Sequence, residues 1–425
     1  MRYLMMFFSI IMVLLLPTET KAEEMVNVKL VKDIGHTNEL TFRFHGTYLT
    51  LDPSLQLREG VEYTLKKKKR GLFSLMSKKE KLQINGSFML VPHEYDTNHY
   101  IEINGKPYLG AIEFTEEKGK YIRPVNQLPL EDYLKGVVPF EVFSTWSLET
   151  LKAQALAART YAITQRSKEM NDTIQYQVYG GFTWDPKTTQ AVEETKGEII
   201  TYQGKPITAF YSASNGGVTE NNKHVWGGQQ IPIYPIKKDE YDPIEPWKFT
   251  LHKDQLNLEE IDWYDSSAWD DLIEVDSKIA ATMKSYLKRV GYLGDIKIIS
   301  VPTFEIAKDK NPSGRTMTGS IEVSFLHRLF DGTIMLEQLE IRNGNINKIR
   351  PLIGGDIFRS YLIDSLTFED GHYTMSGRGY GHGVGMSQWG ASVMGDNGKN
   401  YKEIIQYYFP RTSISQINAM VNGKE

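Results

Sequence analysis

The chain has 425 residues, 40% of them hydrophobic and 24% charged, with a formal net charge of −4. That length admits roughly two or three domains, and the composition is that of a globular protein without low-complexity tracts. The slightly acidic balance gives a nucleic-acid partner no electrostatic support. The absence of cysteine excludes disulfides, thiol catalysis, cysteine-ligated metal and a lipidated N-terminal cysteine.

The first residues read as an address. Met1 and Arg2 precede an apolar run from Tyr3 to Leu16, then Pro17 and the small-x-small site Thr20-Lys21-Ala22. This pattern predicts a secretory signal cleaved after Ala22. The run falls short of the roughly 20 apolar residues of a membrane span, so membrane contact is expected only if the segment stays uncleaved. From Val26 to about Val125, alternation and turn signals predict strands, among them Val26–Val31, Leu40–Phe44, Leu82–Gly86 and a hairpin at Asn104-Gly105. The basic run Lys66–Arg70, with Lys78, Lys79 and Lys81 nearby, reads either as a solvated hairpin tip or as an attractor of anionic wall polymers or lipid headgroups.

The stretch Leu128–Arg166 predicts a short helix, a turn and a long helix. Pro129 suits a first helical position and Gly136 an exit. Pro139 biases Val138 towards an extended conformation. Ser147 reads as an N-cap with Glu149 in the first turn. Leu148, Leu151, Ala155, Ala158 and Ala162 recur at helical spacing on one small-residue apolar face. Between the helices, Glu141 is flanked by Phe140, Val142, Phe143 and Trp146. A carboxyl among apolar groups has its pKa raised, which suits a general acid near neutral pH. The alternative is a helix cap or a solvated side chain.

Further on, Lys187–Thr195 reads as a helix, Ile199–Ile207 as a hairpin, and Ala209–Glu220 as a strand running into a glycine turn. The segment 279–290 reads as a helix, 296–341 as strands, and Ile357–Leu362 as a short helix. In Gly377-Arg-Gly-Tyr-Gly-His-Gly-Val-Gly-Met-Ser-Gln-Trp-Gly, glycine holds every second place to Gly385. An extended strand would put those glycines on one bare face and Arg378, Tyr380 and His382 on the other. Ser387 reads as the cap of a helix through Met394. No start point gives G-x-G-x-x-G, because His382, Val384, Met386 and Gln388 occupy the last glycine's place. A metal site would need more ligands than His382 and His372. A tightly packed strand with a hydrogen-bonded histidine is the plainer reading.

Taken together, LPLEDYLKGVVPFEVF, LKAQALAARTYA, YSASNGG with TENN and VWGG, and SGRGYGHGVGMSQWGA with a following YFP resemble the stage II sporulation protein D (SpoIID)/LytB amidase-enhancer family. The resemblance runs from about Val125 to the C-terminus. It implies action on peptidoglycan glycan strands, either as a lytic transglycosylase giving an anhydro-muramic product or as a non-catalytic enhancer with a cell-wall amidase as partner. It makes Glu141 the catalytic residue. Arg159, Tyr211, Tyr380, His382 and Gln388 become candidate substrate-binding residues, with Trp146 and Tyr380 as surfaces for stacking on sugars. Some members place His and Cys where zinc would sit; Tyr211 and the lack of cysteine predict no metal here, and no cofactor is implied. An amidase or peptidase activity of its own lacks support, since neither HExxH nor G-x-S-x-G occurs.

The expected fold is α+β: a β-rich N-terminal region, a central helical segment carrying the catalytic turn, and a β-rich C-terminal half closing a glycan cleft. The expected divisions are 1–22 (signal), 23–125 (β-rich), 126–236 (core with the catalytic turn), 237–345 (insertion or β-rich region) and 346–425 (glycine-rich motif completing the core). The expected location is outside the cytoplasmic membrane.

Overall fold

Strict alternation of burial builds the first part of the molecule. In the strand Glu39–His45, Leu40, Phe42 and Phe44 are buried and the residues between them are more exposed, the signature of a sheet with one face in the core. The computed structural model describes residues 23–52, 55–259 and 268–417; the signal expected at 1–22 lies outside them. Among the described residues no helix is long and apolar enough to cross a membrane.

Two six-stranded sheets form this region. One runs in the order 170–171, 25–29, 121–129, 111–117, 88–92 and 48–50, the other 81–85, 72–76, 63–69, 39–45, 100–103 and 106–109. They face each other through aromatic rings: Phe42 of the second sheet meets Phe114 (4.9 Å between centroids) and Phe88 (6.4 Å) of the first. The predicted Asn104-Gly105 turn is present, with φ of +48° and +81° and Ile103 paired to Lys106, the left-handed pair that a two-residue hairpin requires.

The strand Tyr121–Pro129 runs straight into the helices that carry the site. Helix α1 is Leu130–Lys135, α2 is Val138–Glu141 and α3 is Leu148–Gln165. Val138 is not extended as expected. Pro139 falls in the first turn of α2, where an N–H would have had no helical acceptor, so its absence costs nothing. Ser147 caps α3 by accepting from Thr150 N–H (3.2 Å).

Helix α3 is buried on more than the one predicted face. Leu151, Ala155, Ala158 and Ala162 pack with the N-terminal strands, while Ala153, Leu156 and Ala157 pack with Met386, Met394 and Ile404 of the C-terminal segments. A helix enclosed by two cores shows little amphipathicity, and its alanines let both neighbours approach closely. Burying Leu151 and Leu156 contributes roughly 2 kcal/mol each.

Beyond α3 come α4 (Pro186–Glu194), α5 (Asn222–Trp226), α6 (Ala268–Asp271), α7 (Ser277–Arg289), α8 (Ile346–Ile353), α9 (Gln388–Asp396) and α10 (Tyr401–Tyr408). The three-stranded sheets 246–252/372–378/362–369 and 295–306/318–328/334–345 share a separate core with α7 and α8. The helix expected at Ile357–Leu362 is absent. The helical repeat lies upstream, in Ile346, Ile349, Leu352 and Ile353, all fully buried. Gly354, at φ +108°, then stops it before Asp356. The architecture is mixed α+β, β-rich at both ends with helices between.

Candidate functional site

Glu141 ends the single turn of α2, so its side chain leaves the helix where the chain turns into the α2–α3 loop. Its carboxyl Oε1 accepts from Val178 N–H at 2.7 Å, and its backbone carbonyl accepts from the Gln388 side-chain amide at 3.2 Å. Burial pushes its pKa up to about 7, partly opposed by the Val178 and Gln388 hydrogen bonds and by the charge of Lys32. The flanking aromatics do not supply that burial. Phe140 and Phe143 are exposed, at 42% and 60%, and Trp146 packs with Phe143 and Trp389 (5.6 and 5.1 Å) rather than over the acid.

The acid lies instead in the wall of a cavity of about 530 Å³ built from distant segments, including Tyr161 of α3, Tyr176, Tyr211, Trp226 and Gln388. Burial, with the negative field of Glu141 next, raises the Tyr211 hydroxyl well above its usual range, and burial, then Tyr176 and Glu141, raises that of Tyr161 to about 12. Both therefore stay neutral hydrogen-bonding groups. Tyr211 accepts from the Gln177 amide (3.0 Å).

Tyr380, Gly381 and His382 of the glycine motif also line the cavity, and the motif is not the extended strand that its alternation suggests. The continuous ladder ends at Arg378, and beyond it, among the described residues, only isolated bridges at Tyr380, Gly381 and Val384 remain before Met386-Ser387. Gly379, Gly381, Gly383 and Gly385 then all take positive φ, between +74° and +111°. The alternation encodes backbone conformation, not two faces of a strand. Arg378 pairs with Asp364 (3.0 Å) and does not line the cavity, whereas Tyr380 and His382 do. At Gly385 a Cβ would meet the Phe210 carbonyl oxygen at 2.2 Å, close to where Met386-Ser387 pairs with Tyr211-Ser212. Gly385→Ala combines left-handed strain of about 1–2 kcal/mol with that contact. The expected result is a thermal midpoint several degrees below the parent's and weakened ligand binding in the cavity; unchanged unfolding would show that the ribbon is not so constrained.

His382 accepts from Val384 N–H on Nδ1 (3.0 Å). Burial, then the guanidinium of Arg315, push its pKa down to about 4. It is a neutral ring at physiological pH and cannot act as a cation for a substrate carboxylate. The Tyr380 hydroxyl donates to Asp356 Oδ1 (2.7 Å), which places a second carboxylate in the lining. Ser387 caps α9 through Gly390 N–H (3.0 Å), and so holds Gln388 beside Glu141.

Of the candidates, Tyr211, Tyr380, His382 and Gln388 share the cavity with Glu141. Arg159 does not. It is fully buried on the other side of α3, bidentate to Glu131 (2.9 and 2.8 Å) and bonded to Thr195 Oγ1, Glu198 O and Val192 O. Residues two apart on a helix point about 200° apart, so the ALAARTYA motif presents Tyr161 to the cavity and Arg159 away from it. Asp356, Tyr161, Tyr176 and the stacked pair Phe210–Trp226 (4.3 Å) were not picked out from the sequence. Trp226, half exposed before Gly227-Gly228, carried a signal in VWGG; Asp356 carried none.

Residues 118–202 match the family model described as Stage II sporulation protein, SpoIID. The chain is 37% identical over 333 residues to a protein of Bacillus subtilis named amidase enhancer, covering 77% of this chain and 47% of that protein. It is 28% identical over 324 residues to stage II sporulation protein D of Bacillus subtilis, covering 70% and 78%. It belongs to the SpoIID/LytB family. A protein of Brachyspira hyodysenteriae, 31% identical, aligns over 76% of both chains. The chain spans about half the length of the amidase enhancer. The family-model match contains Glu141 and α3, while Tyr211, Tyr380, His382 and Gln388 come to the same cavity from outside it.

Proposed function

We propose that the protein is an exported cell-wall enzyme that cleaves peptidoglycan glycan strands as a lytic transglycosylase, with Glu141 as its acid and base. The observation that carries this reading is a carboxyl with a pKa of about 7 in an aromatic-lined cavity. Such an acid is part protonated at neutral pH, as a general acid requires. In the first half of the reaction, Glu141 gives its proton to the glycosidic oxygen as the bond to muramic acid C1 breaks. In the second half, the 6-hydroxyl of the same muramic residue attacks C1 and returns a proton to the Glu141 carboxylate. The product is a 1,6-anhydro-muramic end. Because the nucleophile is tethered, no second carboxylate has to activate water. Hydrolytic glycosidases usually need such a partner. Tyr211, Tyr380 and Gln388 supply neutral hydrogen bonds to sugar hydroxyl and acetamido groups, and Trp226 offers an exposed ring face.

The similarity to a protein named amidase enhancer favours one alternative, in which the same cavity holds glycan without cutting it and a wall amidase is the partner. Mass spectrometry of fragments released from intact and peptide-stripped peptidoglycan separates the readings. Anhydro-muramic ends from the parent protein, absent with Glu141→Gln, are expected. Reducing ends would instead give Asp356 the role of second carboxylate in a hydrolase. Glycan binding without release would leave the enhancer reading standing.

A further inference from the structure

The basic run Lys66–Arg70 is not a uniform solvated tip. Lys66 pairs with Glu39 (2.8 Å). Lys67 is almost fully buried against Glu116 (2.8 Å), and Glu116 also accepts from Gly71 N–H (2.6 Å). Lys68, Lys69 and Arg70 are exposed at the turn. Beside them, the hairpin turn that joins Ala111–Glu117 to Tyr121–Pro129 brings exposed Lys118 and Lys120.

These turns and the segment 36–38 enclose a cleft of about 530 Å³, walled by Lys67, Lys68, Lys120, His36, Asn38 and Tyr121. The His36 ring stacks on Tyr121 (4.7 Å). The carboxylates close by are already engaged: Glu116 by Lys67, and Glu117 by the buried Arg123 (2.7 Å) with His36 at 3.7 Å. No ion pair within the described residues occupies Lys68, Lys69, Lys118 or Lys120. The result is a concave patch of surplus positive charge on a chain that is acidic overall.

We propose that this cleft binds a phosphodiester polymer, with Lys68 and Lys120 engaging phosphates inside it and Lys69, Arg70 and Lys118 extending the track at its rim. Two features favour a polymeric phosphate. The donors are mainly ammonium point charges on flexible stems, which meet phosphates as point charges without a fixed bidentate geometry and so suit a flexible chain carrying one charge per unit. The hairpin tip also presents no large exposed apolar side chain, since those of the N-terminal sheets are Met25, Leu49, Leu51 and Tyr95. A bilayer-inserting element would carry such groups at its tip. No residue of this cleft lines the Glu141 cavity, so the proposal stands apart from the catalytic reading.

Fluorescently labelled poly(glycerol phosphate) titrated into the protein tests it, with inorganic phosphate as competitor and phosphatidylserine vesicles as a separate arm. Polymer binding should weaken about tenfold or more between roughly 50 and 200 mM salt, as expected for several neutralised phosphates. Lys68→Glu with Lys120→Glu should weaken it at least tenfold, without changing the thermal midpoint or glycan binding. Lys78 and Lys79, exposed in the turn at the other end of the Leu72–Met76 strand, give the control. If Lys78→Glu with Lys79→Glu lowers binding equally, the interaction is diffuse charge attraction and the site is wrong. Binding to vesicles but not to polymer would overturn the proposal in favour of a membrane.

Discussion

Glu141→Gln should yield a protein that no longer releases glycan fragments and is more stable than its parent by about 3 kcal/mol at pH 8. Both effects come from one property. The native pKa is raised from 4.5 to about 7 by burial, and each unit is worth about 1.4 kcal/mol. Between those two values the native state binds more protons than the unfolded chain, so stability falls as pH rises through this window and stays low above it. Glutamine removes the titration while its amide oxygen can still accept from Val178 N–H. The stability gain over the parent should therefore be full at pH 8 and close to zero at pH 4, measured by denaturant unfolding at both. Cleavage by the parent should fall tenfold per pH unit above about 7, because the acid must start protonated. Equal stabilities of parent and variant at both pH values would mean the carboxyl is solvated as in water. The pH limit on cleavage would then need another group. Residues kept in a state that lowers stability are a common mark of function.

Arg159→Met should destabilise the fold by about 3–5 kcal/mol, the usual cost of leaving one partner of a buried ion pair alone. Every N–H of this guanidinium has an acceptor: two meet Glu131, and the others reach Thr195, Glu198 and Val192. Among the described residues, Glu131 would be left accepting only from Gly197 N–H (3.1 Å). Adding Glu131→Leu should recover much of the loss, because no unpaired charge then remains. The Arg159→Met protein that does fold should bind glycan with the parent's affinity. A variant with normal stability and lost glycan binding would return Arg159 to the substrate-binding set.

The two residues show how far the motifs could be read. The motif marks Glu141 as an acid with a raised pKa, but the burial that raises it does not come from the aromatics flanking it in sequence. Of its flanking aromatics, Phe140 and Phe143 are exposed and Trp146 packs against Trp389, whereas Val178, Tyr211 and Gln388 close around the acid from far along the chain. The motif that holds Arg159 points to the cavity, but helix geometry assigns its cavity-facing side to Tyr161. The composition of the glycine ribbon marks it out, but its shape is set by positive-φ turns and not by a strand. Alternate glycines satisfy a bare strand face and a run of left-handed turns equally well until the neighbours are known. Phe210 and Arg315, which a Cβ at Gly385 or Gly383 would strike, decide between them.

What depends on neighbours along the chain could be settled from the residues alone: the alternating strands, the Asn104-Gly105 turn, the Ser147 and Ser387 caps, and the α+β class. Those signals are local, because period, cap and turn chemistry act within about one turn or pair of residues. Tertiary structure alone decided which side of α3 faces the cavity, that α3 is enclosed by two cores, and that Asp356 and Trp226 line the same cavity as Tyr211. It also decided that Lys67 is spent on a buried pair while Lys68 has no ion-pair partner among the described residues. Each of these turns on desolvation and on distances between segments far apart in sequence, which no local pattern encodes.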